Sequence, residues 1–148
     1  MTKLKIRQGD WVVVCDGKKA LVLENVGDEK FINLHAKRVL EHDNPPTHLQ
    51  GVSAPGRVHQ SSGTARSAVE QTDWHMQAER EFLQALEREL AAAVASAPAM
   101  RLLIIAPPRA LGMLRHLYSP AVRHAVSGEL GMDWVKMSIR DIEARLQA

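Results

Sequence analysis

Cysteine is nearly absent from this chain: Cys15 is the single one in 148 residues. One thiol cannot build an internal disulfide framework, and its isolation suits a reducing compartment. Aromatic residues are scarce at 4%, which leaves few platforms for stacking bases and argues against sequence-specific reading of single strands. Long hydrophobic runs are missing too. The longest, Leu102 to Pro108, falls far short of the roughly 20 apolar residues a membrane helix needs. The stretch MTKLKIRQGDW carries cations with no apolar segment behind them, so no signal peptide is expected and the expected location is cytoplasmic, with no membrane partner. Net charge is only +2, and no overall field calls for nucleic acid. No Gly-x-Ser-x-Gly motif and no phosphate-cradling glycine loop occurs.

What remains is ordinary globular material, 45% apolar and 24% charged, in a length that fits one domain over residues 1–148. Trp11 to Cys15 and Ala20 to Glu24 are short β-branched runs around Asp16-Gly17, a hairpin signal in which Gly17 is free to take positive φ. A second turn at Val26 to Glu29 leads into Lys30 to Leu40, where apolar and polar residues alternate as in a strand. Residues 41–73 hold three prolines and three glycines with no sustained apolar period, which predicts a long flexible loop. Thr72-Asp73 offers a helix N-cap, and Trp74 to Ala95 carries Phe82, Leu86, Leu90 and Val94 on one face.

Leu102 to Ala106 is continuously apolar and bounded by breakers, as a strand buried on both faces should be. Pro107-Pro108 end its pairing, because neither has an N–H to donate. Arg109 to Tyr118 resumes helical spacing. Ser119-Pro120 reads as an N-cap with proline at the first helical position, opening a short helix from Ala121 to Ser127. Leu130 to Met137 reads as a last strand, and Ser138 caps a terminal helix from Ile139 to Leu146. The order βββ-α-β-αα-β-α predicts an α/β fold with a mixed five-stranded sheet and helices on its faces, the order of ribonuclease-H-like domains.

Such a fold raises the question of a two-metal nuclease, which needs several carboxylates converging from different elements. Asp16 ends the first strand and Glu79 and Glu81 lie on the long helix, but the fourth strand ends in Ala106-Pro107-Pro108 where another acid is required. Cys15, inside an apolar strand, reads as a small core residue. The seven histidines show no ligand spacing on a helix face, although His42, His48 and His59 share the loop. No catalytic residue, metal or cofactor is expected.

Charge distribution says more than charge total. Between Glu89 and Glu129 there is no acidic residue, while Arg101, Arg109, Arg115 and Arg123 fall there with His116 and His124. Arg109 sits where a strand gives way to a helix N-terminus, a place that favours anions. Arg109, Arg115, Arg123, His116 and His124 are therefore candidates for a phosphate- or RNA-facing surface. The competing reading is solvated helix faces, with arginines paired to Glu79, Glu87 or Asp141.

Three segments, WVVVCDGKKALVLE, GRVHQSSGTARSAVEQTDWH and LLIIAPPRALGMLRHLYSPAVRHAV, resemble the bacterial host-attachment family, whose members are described as required for attachment to host cells. That family is similar in turn to the central domain of archaeal and eukaryotic class-1 peptide-chain release factors, where a Gly-Gly-Gln loop precedes the long helix. The resemblance gives the 41–73 loop a meaning and makes Arg57, Gln60 and Arg66 loop candidates. The Gly-Gly-Gln motif itself is absent; the nearest echoes are Leu49-Gln50-Gly51 and His59 to Gly63.

These readings favour a non-catalytic, cytoplasmic accessory that binds RNA, with ribosome or tRNA as partner. A protein-interaction or regulatory module that acts on attachment indirectly is the alternative. A peptidyl-tRNA hydrolase-like or nuclease enzyme is a third. Oligomeric state is not encoded legibly.

Overall fold

A computed structural model describes residues 5–41, 64–97 and 100–147, with the backbone alone described from 64 to 73. Among the described residues five strands and four helices follow one another: β1 (Trp11–Cys15), β2 (Lys19–Asn25), β3 (Leu34–Glu41), α1 (Thr64–Ser96), β4 (Leu102–Ala106), α2 (Pro108–Leu117), α3 (Pro120–Ala125), β5 (Val126–Gly131) and α4 (Ile139–Gln147). The strands form one sheet in the order β3-β2-β1-β4-β5. β1, β2 and β3 are an antiparallel meander. β4 runs parallel to β1 and β5 parallel to β4. The expected mixed α/β sheet with helices on its faces is present.

The two-residue period of the strands sorts the core into two layers. Val13, Cys15, Ala20, Val22, Leu102 and Ile104 face α1, α2 and α3, which supply Leu83, Leu86, Leu90, Leu114 and Val122. Val12, Val14, Leu23, Leu103 and Ile105 face the other way, onto Ile142 and Leu146 of α4, with Ile6 and Val135. β1 and β4 are therefore buried on both sides, as their unbroken apolar sequences require. Each of the fully enclosed leucines contributes about 1.5–3 kcal/mol of burial.

β3 is an edge strand and is exposed along most of its length. It carries charged side chains: Lys37 pairs with Glu24 of β2 at 3.2 Å and lies over the Trp11 ring, and Arg38 reaches Glu89 of α1 at 2.6 Å. A register shift opposite Val22/Leu23 adds a bulge, and both devices discourage pairing with another chain.

Four sequence expectations need correction. α1 begins at Thr64 and not at an N-cap on Thr72-Asp73. Residues 64–73 contain neither proline nor glycine, so the polar Ser/Thr/Asp content was read as loop where nothing breaks a helix. β3 starts at Leu34 and not Lys30. Asp28 folds the preceding residues into a turn by accepting from Lys30 N (2.9 Å) and Phe31 N (2.7 Å). β5 is Val126–Gly131 and not Leu130–Met137. Its two glycines disguise it, and pairing with the buried β4 overrides their weak strand propensity. Trp134 and Val135, which suggested a strand, pack against the α4 layer from a loop. Finally, Glu87, named as a partner for the arginines, is buried in α1 and accepts from the Ser119 amide instead.

The remainder of the 41–73 loop, including Arg57, Gln60, His42, His48 and His59, lies outside the described residues, as does the side chain of Arg66. Among the described residues no helix is long and apolar enough to cross a membrane.

Candidate functional site

β1, β4 and β5 are parallel, so their carboxyl ends open on the same edge of the sheet, where ligands collect in α/β proteins. The chain leaves β1 through Asp16-Gly17-Lys18, leaves β4 through Pro107-Pro108 into α2, and leaves β5 through a loop that carries Lys136. α1 passes over this edge and delivers Glu79. The four segments enclose a cleft of about 380 Å³, with Asp16, Lys18, Glu79, Arg109 and Lys136 as its charged lining.

Gly17 leaves space here that its turn signal did not show. Its φ is not positive; among the described glycines only Gly9 has that property. A Cβ on Gly17 would stand 2.7 Å from Cγ and 2.9 Å from Oε2 of Glu79. The missing side chain is the seat in which the Glu79 carboxylate rests. Asp16 is engaged in the turn, its Oδ1 accepting from Lys18 N and Lys19 N at 2.8 Å each.

Arg109 enters the first turn of α2, an unfavourable end of the helix dipole for a cation. Its Nη2 lies 3.0 Å from Glu79 Oε1, an ion pair by distance. No guanidinium N–H is aligned with that oxygen, so Oε1 is buried without a hydrogen bond. α2 also starts without a side-chain cap and without an acidic residue in its first turn. Among the described residues, no three His, Cys, Asp or Glu side chains are grouped to hold a metal ion.

The other basic candidates gather elsewhere, around the corner between α2 and α3. Arg115 donates from Nε to Glu129 Oε1 at 2.9 Å and is ion-paired to it through Nη2 at 2.8 Å. Tyr118 donates its hydroxyl to the second oxygen, Glu129 Oε2, at 3.0 Å. Burial is the main reason that the Tyr118 phenol is pushed well above its ordinary pKa, with the Glu129 charge and hydrogen bond adding to it. Arg123 donates from Nη2 to the Arg115 carbonyl at 3.0 Å, a dipole and not a carboxylate. His116 and His124 are exposed beside them. An open hollow of about 640 Å³ is bordered by Tyr118, Pro120, Arg123 and His124.

This corner is held to the body by Glu87, whose Oε2 accepts from Ser119 N at 2.9 Å. Ser119 in turn caps α3, accepting from Val122 N at 3.3 Å, as its sequence predicts. The structure thus joins Arg115, Arg123 and His124 and sets Arg109 apart in the cleft. Arg101 belongs to neither place: it pairs with the buried Asp10 at 3.3 Å, at the start of β4. Cys15 is enclosed in the core, and burial pushes its thiol up to about 12, with Asp16 adding to the shift.

Sequence reasoning missed Lys18 and Lys136, which carry no motif, and the structural duties of Glu87 and Glu129. Glu129 did have a signal, as the first acid to end the acid-free stretch.

Fold and site together define an α/β domain with an ionic cleft at the carboxyl ends of its parallel strands and a basic corner beside it. The chain belongs to the family described as proteins required for attachment to host cells, whose profile matches residues 11–146. No curated protein matches the chain.

Proposed function

We propose that the protein is a non-catalytic, cytoplasmic accessory that binds RNA, with the ribosome or tRNA as partner. On this reading the fold is ribonuclease-H-like and resembles the central domain of class-1 release factors. The carrying observation is the basic corner. Two consecutive short helices each end in an arginine followed by a histidine, Arg115-His116 and Arg123-His124, and all four side chains are exposed. Glu129 neutralises Arg115, while among the described residues Arg123 is paired only with a carbonyl and keeps its full charge for a phosphate. Arg109, set apart in the cleft, would be a separate anion contact, and Arg57 and Gln60, with Arg66 in the first turn of α1, belong to the region that would reach the partner. The strand order, a three-stranded meander continued by two parallel strands, supports the fold assignment.

The test is sedimentation of the full chain with ribosomes through sucrose at low salt. Co-migration that is weakened by Arg115→Ala and Arg123→Ala supports the reading, and absence of any co-migration ends it. A second reading, a protein-interaction module, is favoured by large apolar side chains left in solvent: Phe31 is 71% exposed and Trp74 75%. It predicts that crosslinking in lysate recovers proteins without RNA and that removing the arginine charges changes nothing. No geometric observation favours the enzyme reading.

A further inference from the structure

The cleft at the carboxyl ends of β1, β4 and β5 holds charge that the fold itself does not use. Lys18, Arg109 and Lys136 reach it from three separate segments. Among the described residues neither lysine forms an ion pair. Bringing three like charges to one cleft is unfavourable, and Asp16 and Glu79 offset it only in part, leaving three cations against two carboxylates. Asp16 directs one oxygen to its own turn and Glu79 is paired with Arg109, so among the described residues neither carboxylate forms an ion pair with Lys18 or Lys136. An anion placed among the three cations relieves that repulsion. The unmatched groups are not all cationic, however. Glu79 Oε1 is a buried acceptor with no hydrogen bond, and a carboxylate oxygen can accept only from a donor. The complement of this lining is therefore one molecule with a strongly anionic end and hydroxyl groups close to it.

We infer that the cleft binds a phosphate monoester of a hydroxylated carbon skeleton, the chemistry shared by sugar phosphates and nucleoside monophosphates. The phosphate lies between Lys18, Lys136 and Arg109, beside the uncapped first turn of α2. A neighbouring hydroxyl donates to Glu79. Leu83, Pro107, Ala110 and Met113 line the rest of the cleft and meet the remaining skeleton. Its volume of about 380 Å³ suits a small metabolite and not a larger cofactor, since ligand pockets span about 300–1,000 Å³. The cleft does not include Arg115 or Arg123, so this site stands whether or not the chain binds ribosomes.

Calorimetric titration of the full chain with ribose 5-phosphate, adenosine 5′-monophosphate and inorganic phosphate tests it. Both esters are expected to bind at least tenfold more tightly than inorganic phosphate. A base that packs on the apolar lining makes the nucleotide the tighter ester, and equal affinities assign the site to the sugar phosphate. The double substitution Lys18→Ala, Lys136→Ala should weaken both esters tenfold or more without lowering the melting temperature, because both side chains lie at the surface. Glu79→Met, which keeps the length of the side chain but has no oxygen to accept, should remove the advantage of esters over inorganic phosphate while leaving phosphate binding intact or stronger. The inference is overturned if the esters bind no better than inorganic phosphate, or if the folded double variant binds them as the parent does.

Discussion

Replacing Glu87 isolates the bond that holds the basic corner on the sheet. The side chain is 7% exposed and accepts from Ser119 N at 2.9 Å. Glu87→Ala leaves that amide without its partner, at about 1–3 kcal/mol for an unsatisfied donor, and forfeits buried methylenes worth about 0.8 kcal/mol each. Against this stands the relief of no longer holding a carboxylate out of water. The net expected loss is roughly 2–3 kcal/mol, a sizeable share of a typical 5–15 kcal/mol stability. Glu87→Gln retains an amide oxygen in the same place and should cost under about 1.5 kcal/mol, the difference between a charged and a neutral hydrogen bond. Urea unfolding followed by circular dichroism reads the two midpoints, and an unchanged slope shows that the unfolded state is the same. Hydrogen exchange at the Ser119 amide supplies the local reading. It should accelerate in the alanine variant and stay protected in the glutamine variant. If the glutamine costs as much as the alanine, or if Ser119 exchanges alike in all three, Glu87 does not anchor the corner by this bond.

Asn25 is fully buried at the end of β2, accepts from Gly27 N (3.0 Å) and Asn33 N (2.8 Å), and donates to the carbonyls of Ile6, Arg7 and Asp28. Asn25→Ala should cost about 3–5 kcal/mol, at roughly 1 kcal/mol per neutral bond, and Asn25→Asp should be no better because its second oxygen meets carbonyls; chemical denaturation reads both. The protein should also weaken at alkaline pH. Tyr118 and Cys15 both have raised pKa values in the folded state, chiefly through burial. The folded state therefore holds these protons where the unfolded chain releases them. Their contribution is complete below the unfolded values, near 9 for the thiol and 10 for the phenol, and is lost as pH rises beyond them. Melting temperature should fall between about pH 9 and pH 12, and Tyr118→Phe should make that fall shallower. A melting temperature that is flat across this range contradicts the burial assigned to both groups.

The sequence was most legible where burial is symmetrical. β1 and β4 came out at their observed bounds because a strand enclosed on both faces must be apolar throughout. The Ser119-Pro120 start of α3 was legible because capping is local chemistry. β5 was misplaced because its strand character comes from its neighbour β4 and not from Ser127, Gly128 or Gly131. The early start of α1 was hidden by residues that only weakly disfavour helix. In the site, Arg109 and Arg115 were found from the acid-free stretch, but their partners were not fixed by it. Glu79 and Glu129 are distant in sequence, and only the packing of α1 and β5 brings them near. Gly17 was assigned to a turn conformation, whereas its role is the space it leaves for a carboxylate three elements away.

The most direct test of the RNA reading is the salt dependence of ribosome binding by the parent chain, the Arg115→Ala, Arg123→Ala double variant and Glu129→Gln. Each phosphate contact removed should lower the log–log slope by about 1; because Glu129 already neutralises Arg115, the double variant should lose roughly 1, the share of Arg123, and bind more weakly at every salt concentration. Glu129→Gln releases Arg115 from its carboxylate and should move affinity and slope the other way. Opposite shifts in these two variants are the predicted result. A slope that is the same for all three proteins, or ribosome binding that none of them shows, contradicts it.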